Sequence, residues 1–243
     1  MMSAVCCPLR AADGLPPPEA TEQWTPVPAV VTTPPGAPPS DAIGLFTGKD
    51  LDSWTKSTSR TGPSAPSPRS WKVIDGAMVI EPGAGDLQTK ASFGDVQLHL
   101  EFRTPGAVRG EGQDRGNSGI FFMGRYELQI LDSYNSATYV NGQAASVYKQ
   151  SAPLVNASRP PGEWQAYDVV FCAPRFGGTV TPARMTVFHN GALVQNDVIL
   201  AGATTYRGQP AYGRHDAKLP LVLQDHGSPV GFRNIWVREI ACR

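Results

Sequence analysis

Val96-Gln97-Leu98-His99-Leu100-Glu101-Phe102-Arg103 alternates apolar and polar residues without a break. Successive side chains of an extended strand point to opposite faces, so Val96, Leu98, Leu100 and Phe102 share one face and Gln97, His99, Glu101 and Arg103 the other. A period of two cannot make an amphipathic helix; it specifies an antiparallel strand buried on one side. Further strands are predicted at Ser146–Lys149, Trp164–Cys172, Leu219–His226 and Gly231–Ile240. Asp75-Gly76 between Trp71–Ile74 and Ala77–Ile80, and Asn190-Gly191 between Met185–His189 and Ala192–Val194, are tight-turn dipeptides flanked by apolar runs and predict two hairpins. With 25 glycines, 23 prolines and no long helical pattern, the chain reads as an all-β, two-sheet antiparallel sandwich.

The 243 residues suffice for one large sandwich. Residues 1–41 are proline-rich, from Pro16-Pro17-Pro18 to Pro38-Pro39, and read as an extended arm; residues 42–243 form the globular domain. Ser/Thr/Pro-rich sequence between Asp50 and Trp71 reads as a loop. Lys plus Arg and Asp plus Glu are both 21, which leaves no basic stripe for nucleic acid. No apolar run is long enough to span a membrane. The opening residues through Cys6, Cys7 and Pro8 resemble the tail of an abbreviated secretory signal, and Cys172 and Cys242 lie in or beside predicted strands. In an exported protein the latter pair would be bonded, fastening the last strand; buried free thiols are the alternative.

The richest stretch is Asn117–Ser133. From Tyr126 onward Glu127 and Gln129 share one strand face and Leu128 and Ile130 the other, which sets a carboxylate beside an amide on the outer side of a sheet. In the penultimate strand Gln224 and His226 share a face just before Gly227-Ser228-Pro229. A histidine at a strand end is suited to proton transfer near neutral pH. Glu101, Arg103, Glu127 and Gln129 also occupy polar strand faces.

These residues carry a resemblance. Asn117-Ser118-Gly119-Ile120-Phe121, Tyr126-Glu127-Leu128-Gln129-Ile130-Leu131-Asp132, Gly162-Glu163-Trp164, Leu221-Val222-Leu223-Gln224-Asp225-His226-Gly227 and Phe232-Arg233-Asn234-Ile235 resemble the 3-keto-disaccharide hydrolase family, in order across residues 43 to 240. The stretch Leu45–Trp54 is similar to that family's start. The resemblance implies a jelly roll of the concanavalin A-like lectin/glucanase type, a carbohydrate cleft on a concave sheet, and a periplasmic or secreted location. Family 16 glucanases of this fold carry Glu-x-Asp-x-Glu on one strand; here the spacing reads Glu127-x-Gln129-x-Leu131, so the second acid of a retaining mechanism is missing there.

A 3-keto sugar invites a different route, since a ketone at C3 acidifies the C2 proton and allows elimination of the C1 substituent followed by hydration. That route needs a base, an acid and donors to the developing oxyanion. Glu127 is assigned as base and His226 as proton donor or relay, with Glu101 the alternative base. Arg103, Asn117, Gln129, Gln224 and Arg233 are assigned to substrate oxygens. Among Trp54, Trp71, Tyr126, Tyr134, Tyr148 and Trp164, most are expected in the core, with Tyr148 beside Lys149 at the cleft rim. No ligand spacing demands a metal, although His226 with carboxylates could hold one, and no cofactor is expected. The expected partners are a carbohydrate substrate and an upstream sugar 3-dehydrogenase. Two alternatives stay open: a non-catalytic carbohydrate-binding module and an ordinary β-glucanase-like hydrolase.

Overall fold

A computed structural model of the chain describes residues 15–58 and 68–242. Cys6, Cys7 and the segment read as a signal remnant lie outside the described residues, as does part of the loop expected between Asp50 and Trp71. The described strands run β1 (Ile43–Phe46), β2 (Trp54–Lys56), β3 (Lys72–Ile74), β4 (Ala77–Val79), β5 (Leu87–Phe93), β6 (Val96–Arg103), β7 (Ser118–Phe122), β8 (Tyr126–Ile130), β9 (Gln165–Cys172), β10 (Arg175–Phe176), β11 (Val180–Thr181), β12 (Arg184–His189), β13 (Ala192–Ile199), β14 (Leu219–Leu223) and β15 (Gly231–Glu239). Helical structure among the described residues consists of three short 3-10 turns.

Antiparallel pairing sorts thirteen of the fifteen strands into two packed sheets, and β10 and β11 pair only with each other as a small ribbon. The larger has eight strands in the order β13-β12-β9-β6-β15-β4-β3, with β1 also paired to β15; the smaller has five in the order β2-β5-β14-β7-β8. Strand β15 carries β6 along one edge and divides the other between β4, where Phe232 faces Met78, and β1, where Val237 faces Ile43. This is the all-β jelly-roll sandwich expected from the sequence.

The core follows from alternation. In β6, Val96, Leu98, Leu100 and Phe102 are buried while the polar residues between them face outward. From the smaller sheet Ile120, Phe122, Leu128 and Ile130 join the same cluster, and Phe122 stacks on Phe171 with ring centroids 4.7 Å apart. Burying each such side chain is worth roughly 1.5–3 kcal/mol, and a one-residue slip would turn the whole set to water, so register is strongly specified. Tyr167 of β9 crosses the core and donates its hydroxyl to the backbone oxygen of Gln129 in β8 at 2.9 Å. Burial pushes its pKa well up, so it stays a donor.

Both predicted hairpins form, with Asp75 (φ 50) and Gly76 (φ 73) in one turn and Asn190 (φ 53) and Gly191 (φ 83) in the other, the left-handed pairs a two-residue loop requires. Ser146–Lys149 is not a strand of its own: Val147 makes isolated bridges to Leu128 and Ser151, and Lys149 turns the chain with φ 58. Strand β5 escaped the sequence reading because its middle residues Lys90, Ala91 and Ser92 are exposed and break the apolar pattern.

Cys172 and Cys242 are joined, with Cα atoms 5.8 Å apart and a sequence separation of 70. Closing a loop of that length stabilises by about 4 kcal/mol in the chain-entropy model. Asp95 secures the same corner, accepting from the amides of Ala173 at 2.8 Å and Cys242 at 3.1 Å and pairing with Arg175 at 2.5 Å. Burial alone would raise the Asp95 pKa, but the bonds from Arg175 and the two amides outweigh it and hold the carboxyl below its usual range. On the described part of the arm Leu15, Trp24, Val27 and Val30 are exposed, and Asp41 at its end meets Arg238 through two 2.7 Å bonds.

One core group makes stability pH-dependent. His189 is 1% exposed, bonds Gln165 Oε1 through Nε2 at 2.8 Å, and is held neutral chiefly by burial and secondarily by Arg159, its pKa pushed down to about 4. The unfolded chain takes up that proton near pH 6.5, so this contribution is full above about pH 6.5 and is lost as pH falls towards 4. The total is roughly 3 kcal/mol. Urea midpoints are expected to drop between pH 7 and pH 4.5 and to drop less in His189→Gln; a flat midpoint in the parent protein would contradict the burial argument.

Candidate active site

Asn117–Ser133 folds as the β7–β8 hairpin, turned at Met123 (φ 56) and Gly124 (φ 64). Pairing sets Glu127 opposite Phe121 and Gln129 opposite Gly119 on the face away from the core, with Leu128 opposite Ile120 on the core face. The outer face is nonetheless covered: Glu127 is 5% and Gln129 1% exposed. Residues 145–148 run along the free edge of β8, where Ala145 N donates to Gln129 O (3.0 Å), Gln129 N to Ser146 O (3.0 Å) and Tyr148 N to Glu127 O (3.2 Å). That segment brings Tyr148 over the sheet. Thr204 anchors a second covering loop, donating its amide to Arg125 O at 2.8 Å and accepting from Glu127 N through Oγ1 at 3.0 Å.

Between this cover and the sheet lies a cavity of about 170 Å³ floored by Asn117, Glu127, Gln129, Gln224 and His226. Tyr148 and Tyr206 close it from the side of the covering loops. Gln224 and His226 continue the alternation of β14 past its end, and Asp225 between them turns the other way, accepting from the amides of Gly83 (2.8 Å) and Gly85 (3.0 Å). Gln224 N bonds Gly119 O at 3.0 Å, which ties this extension to β7. Asn117 is held by its own donor, Nδ2 to Gln113 O at 2.7 Å. With its amide nitrogen turned to the carboxylate, Gln129 donates to Glu127 Oε1 at 3.2 Å and to Ser118 O at 3.1 Å.

Gly119 makes room for this arrangement. A Cβ built there would lie 2.6 Å from Glu127 Oε1, 3.0 Å from the Phe121 ring and 3.2 Å from Gln224 Oε1. Two acceptor oxygens thus converge over a bare backbone position, and Gln224 Oε1 is buried without a hydrogen-bond partner. A buried acceptor of this kind suits a hydroxyl donor from a ligand. Tyr148 is hydrogen-bonded to Tyr139, their hydroxyl oxygens 2.6 Å apart. Burial first, then the bond to Tyr139 and the nearby Tyr139 and Glu127 charges, push the Tyr148 pKa well up, which keeps the phenol protonated and able to donate.

The structure therefore brings together Glu127, His226, Asn117, Gln129, Gln224 and Tyr148, with Lys149 in an adjoining cavity that shares Tyr148 and Tyr206. It does not bring Glu101, Arg103 or Arg233. They lie on the outer face of the eight-stranded sheet, where Arg233 Nε pairs with Glu101 Oε2 at 2.6 Å and the Arg103 and Arg233 guanidiniums pack on Trp164 at 4.7 and 4.2 Å. Their strands are polar outside and apolar inside, but that outside is the opposite surface of the sandwich from Glu127. Of the six aromatics singled out in the sequence, Trp54, Trp71 and Tyr126 are core residues, Tyr148 and Trp164 are half-buried and Tyr134 is exposed, so the core takes half of them and not most. Tyr139 and Tyr206 escaped the sequence reading because each sits in a loop with no strand pattern, beside Val140 and Arg207. Among the described residues, no group of three or more His, Cys, Asp or Glu side chains is arranged to hold a metal ion. No helix among them is long and apolar enough to cross a membrane.

The model of the 3-keto-alpha-glucoside-1,2-lyase-like domain matches residues 41–238. A curated relative, a 3-keto-disaccharide hydrolase from Bacteroides thetaiotaomicron, is 23% identical over 250 aligned residues covering 83% of this chain and 80% of its own. A crystal structure from Parabacteroides distasonis, carrying a provisional glycosyl hydrolase name, is 45% identical, superposes with a TM-score of 0.84, and covers 92% of this chain and 97% of its own. A second from the same organism, at 20% identity and a TM-score of 0.57 over 81% of this chain and 93% of its own, shares the fold.

The close approach at Gly119 is open to test. Gly119→Ala is expected to leave the unfolding free energy within about 1 kcal/mol, because two of the three nearest groups are side-chain ends that can swing aside. Its crystal structure is expected to show Glu127 pushed off β7 and its contact with Gln129 lost. An unmoved carboxylate would contradict the packing described.

Proposed function

We propose that this chain, which belongs to the 3-keto-α-glucoside-1,2-lyase-like family, cleaves the glycosidic bond of 3-keto-glycosides or 3-keto-disaccharides by elimination and hydration. The observation that carries this reading is the lining of the small cavity, where Glu127 is the one carboxylate and amides stand where a second acid would be needed. A two-carboxylate glycosidase needs a partner acid within about 5–9.5 Å across the scissile bond. Glu101, the other candidate, is on the far side of the sandwich, paired to Arg233.

In the proposed reaction the Glu127 carboxylate takes the C2 proton made acidic by the C3 ketone. The electron pair forms the C1–C2 double bond as the C1–O bond breaks, and the leaving oxygen receives a proton from His226. Water then adds at C1 of the enone and a proton returns to C2, so the net change is hydrolysis. Negative charge developing on O3 is met by neutral donors: the Tyr148 hydroxyl, kept protonated by burial, and the second N–H of the Asn117 amide, while Gln129 spends both of its own on Glu127 and Ser118. The buried acceptor Gln224 Oε1 takes a sugar hydroxyl.

A sugar 3-dehydrogenase is the partner class such a substrate requires. The Cys172–Cys242 bond supports export to the periplasm or beyond, with residues 1–41 as an arm outside the catalytic domain.

The test compares release of the leaving group from a 3-keto-glucoside and from its unoxidised parent. Release from the keto sugar alone is expected, and Glu127→Gln is expected to lower it about 100-fold or more while sugar binding survives. Equal cleavage of both sugars would point to an ordinary glycosidase, and binding without release from either to a carbohydrate-binding module.

A further inference from the structure

Beside the small cavity lies a second of about 490 Å³, and Tyr148 and Tyr206 line both. Ordinary ligand pockets hold about 300–1,000 Å³, so the larger cavity is of that class, while the one floored by Glu127 falls short of it and shares two wall residues with its neighbour. We propose that the larger cavity is the leaving-group subsite and that it receives a second hexopyranose, with Tyr206 as the platform beneath it. This rests on the reading that the 3-keto ring occupies the small cavity.

The backbone is bent to serve the larger cavity. In an extended segment Tyr148 and Lys149 would face opposite ways, but Lys149 adopts φ 58, and both side chains line the same space. A left-handed conformation at a residue other than glycine costs about 1–2 kcal/mol and persists only where the surroundings enforce it. Here Lys149 N is held by Asn141 O at 2.8 Å. Its ammonium donates to the Tyr206 carbonyl at 2.7 Å and sits 4.2 Å from the centre of the Tyr206 ring. Lysine thereby fixes from one side an aromatic ring that is 69% exposed. A fixed, open tyrosine face is a stacking surface for the C–H face of a pyranose, and the side-chain amides of Asn141 and Gln209 supply both donors and acceptors for its hydroxyls.

The chemistry of the lining selects the ligand. The Lys149 ammonium donates to a carbonyl and lies against an aromatic ring, and the rest of the lining offers amides and phenols, groups that meet the hydroxyls of a sugar. An apolar leaving group would fit better in a third cavity of about 540 Å³ walled by Pro82, Pro105, Val108 and Pro229, but that cavity shares no lining residue with the one holding Glu127.

The experiment compares a 3-keto-disaccharide with the methyl 3-keto-glucoside, whose leaving group is too small to reach Tyr206. Tyr206→Ala is expected to lower kcat/KM for the disaccharide about 10-fold more than for the methyl glycoside, and Tyr206→Phe, which keeps the ring, to restore the ratio. An equal effect on both substrates would overturn the subsite while leaving the proposed chemistry standing. Should neither substrate turn over, the proposed chemistry fails and calorimetry decides the subsite. Weaker binding of an unoxidised gluco-disaccharide, but not of methyl glucoside, in Tyr206→Ala supports it, and unchanged binding of both overturns it.

Discussion

The site depends on holding one strand, β8, from both of its faces and along both of its edges. On the core side the fully buried Tyr167 donates to the Gln129 carbonyl at 2.9 Å, tying the smaller sheet to the larger through a bond that no water replaces. The same carbonyl accepts from Ala145 N at 3.0 Å, which brings the covering segment alongside. β7 supplies the other edge. Because the backbone of Gln129 is fixed from these directions, its side chain and that of Glu127 two residues earlier cannot rotate to the core without breaking the sandwich.

Burial then changes what those side chains can do. A carboxylate on an open sheet would be screened by water; Glu127 instead lies under Tyr148 and Tyr206 with an amide donor beside it and an unpartnered amide oxygen close by. In such a setting charge–dipole interactions are stronger than in water, and every unmet polar group becomes a reason to bind a ligand that meets it. Gly119 is part of that design by absence, since any side chain there would displace the carboxylate.

Alternation made the core faces of β6 and β8 readable, together with the pairing of Gln224 with His226, because a period of two depends only on local geometry. The hairpin turns were equally local. What alternation cannot say is which sheet a strand joins. Glu101 and Arg103 share with Glu127 a place on a polar strand face, and Arg233 comes with the family's motif, but in a sandwich the polar faces of the two sheets point away from each other. On their own side they form a different network, with His99 Nδ1 2.7 Å from Asp168 and Asn234 Nδ2 donating to Glu101 at 3.0 Å. The roof over the site was also hidden: Tyr139 and Tyr206 come from loops whose positions are set by tertiary bonds such as Lys149 to Tyr206 O.

Proton abstraction from C2 within this enclosed site is the central claim, and the isotope content of the product reports it directly. The protein is incubated with a 3-keto-glycoside in deuterium oxide and the released 3-keto sugar is analysed for deuterium at C2 against an enzyme-free control. Elimination and hydration predict solvent deuterium at C2 wherever the proton on Glu127 exchanges before hydration, and slower release from a substrate that carries deuterium at C2. Released sugar that keeps its original hydrogen at C2, together with unchanged release from the C2-deuterated substrate, would contradict the mechanism.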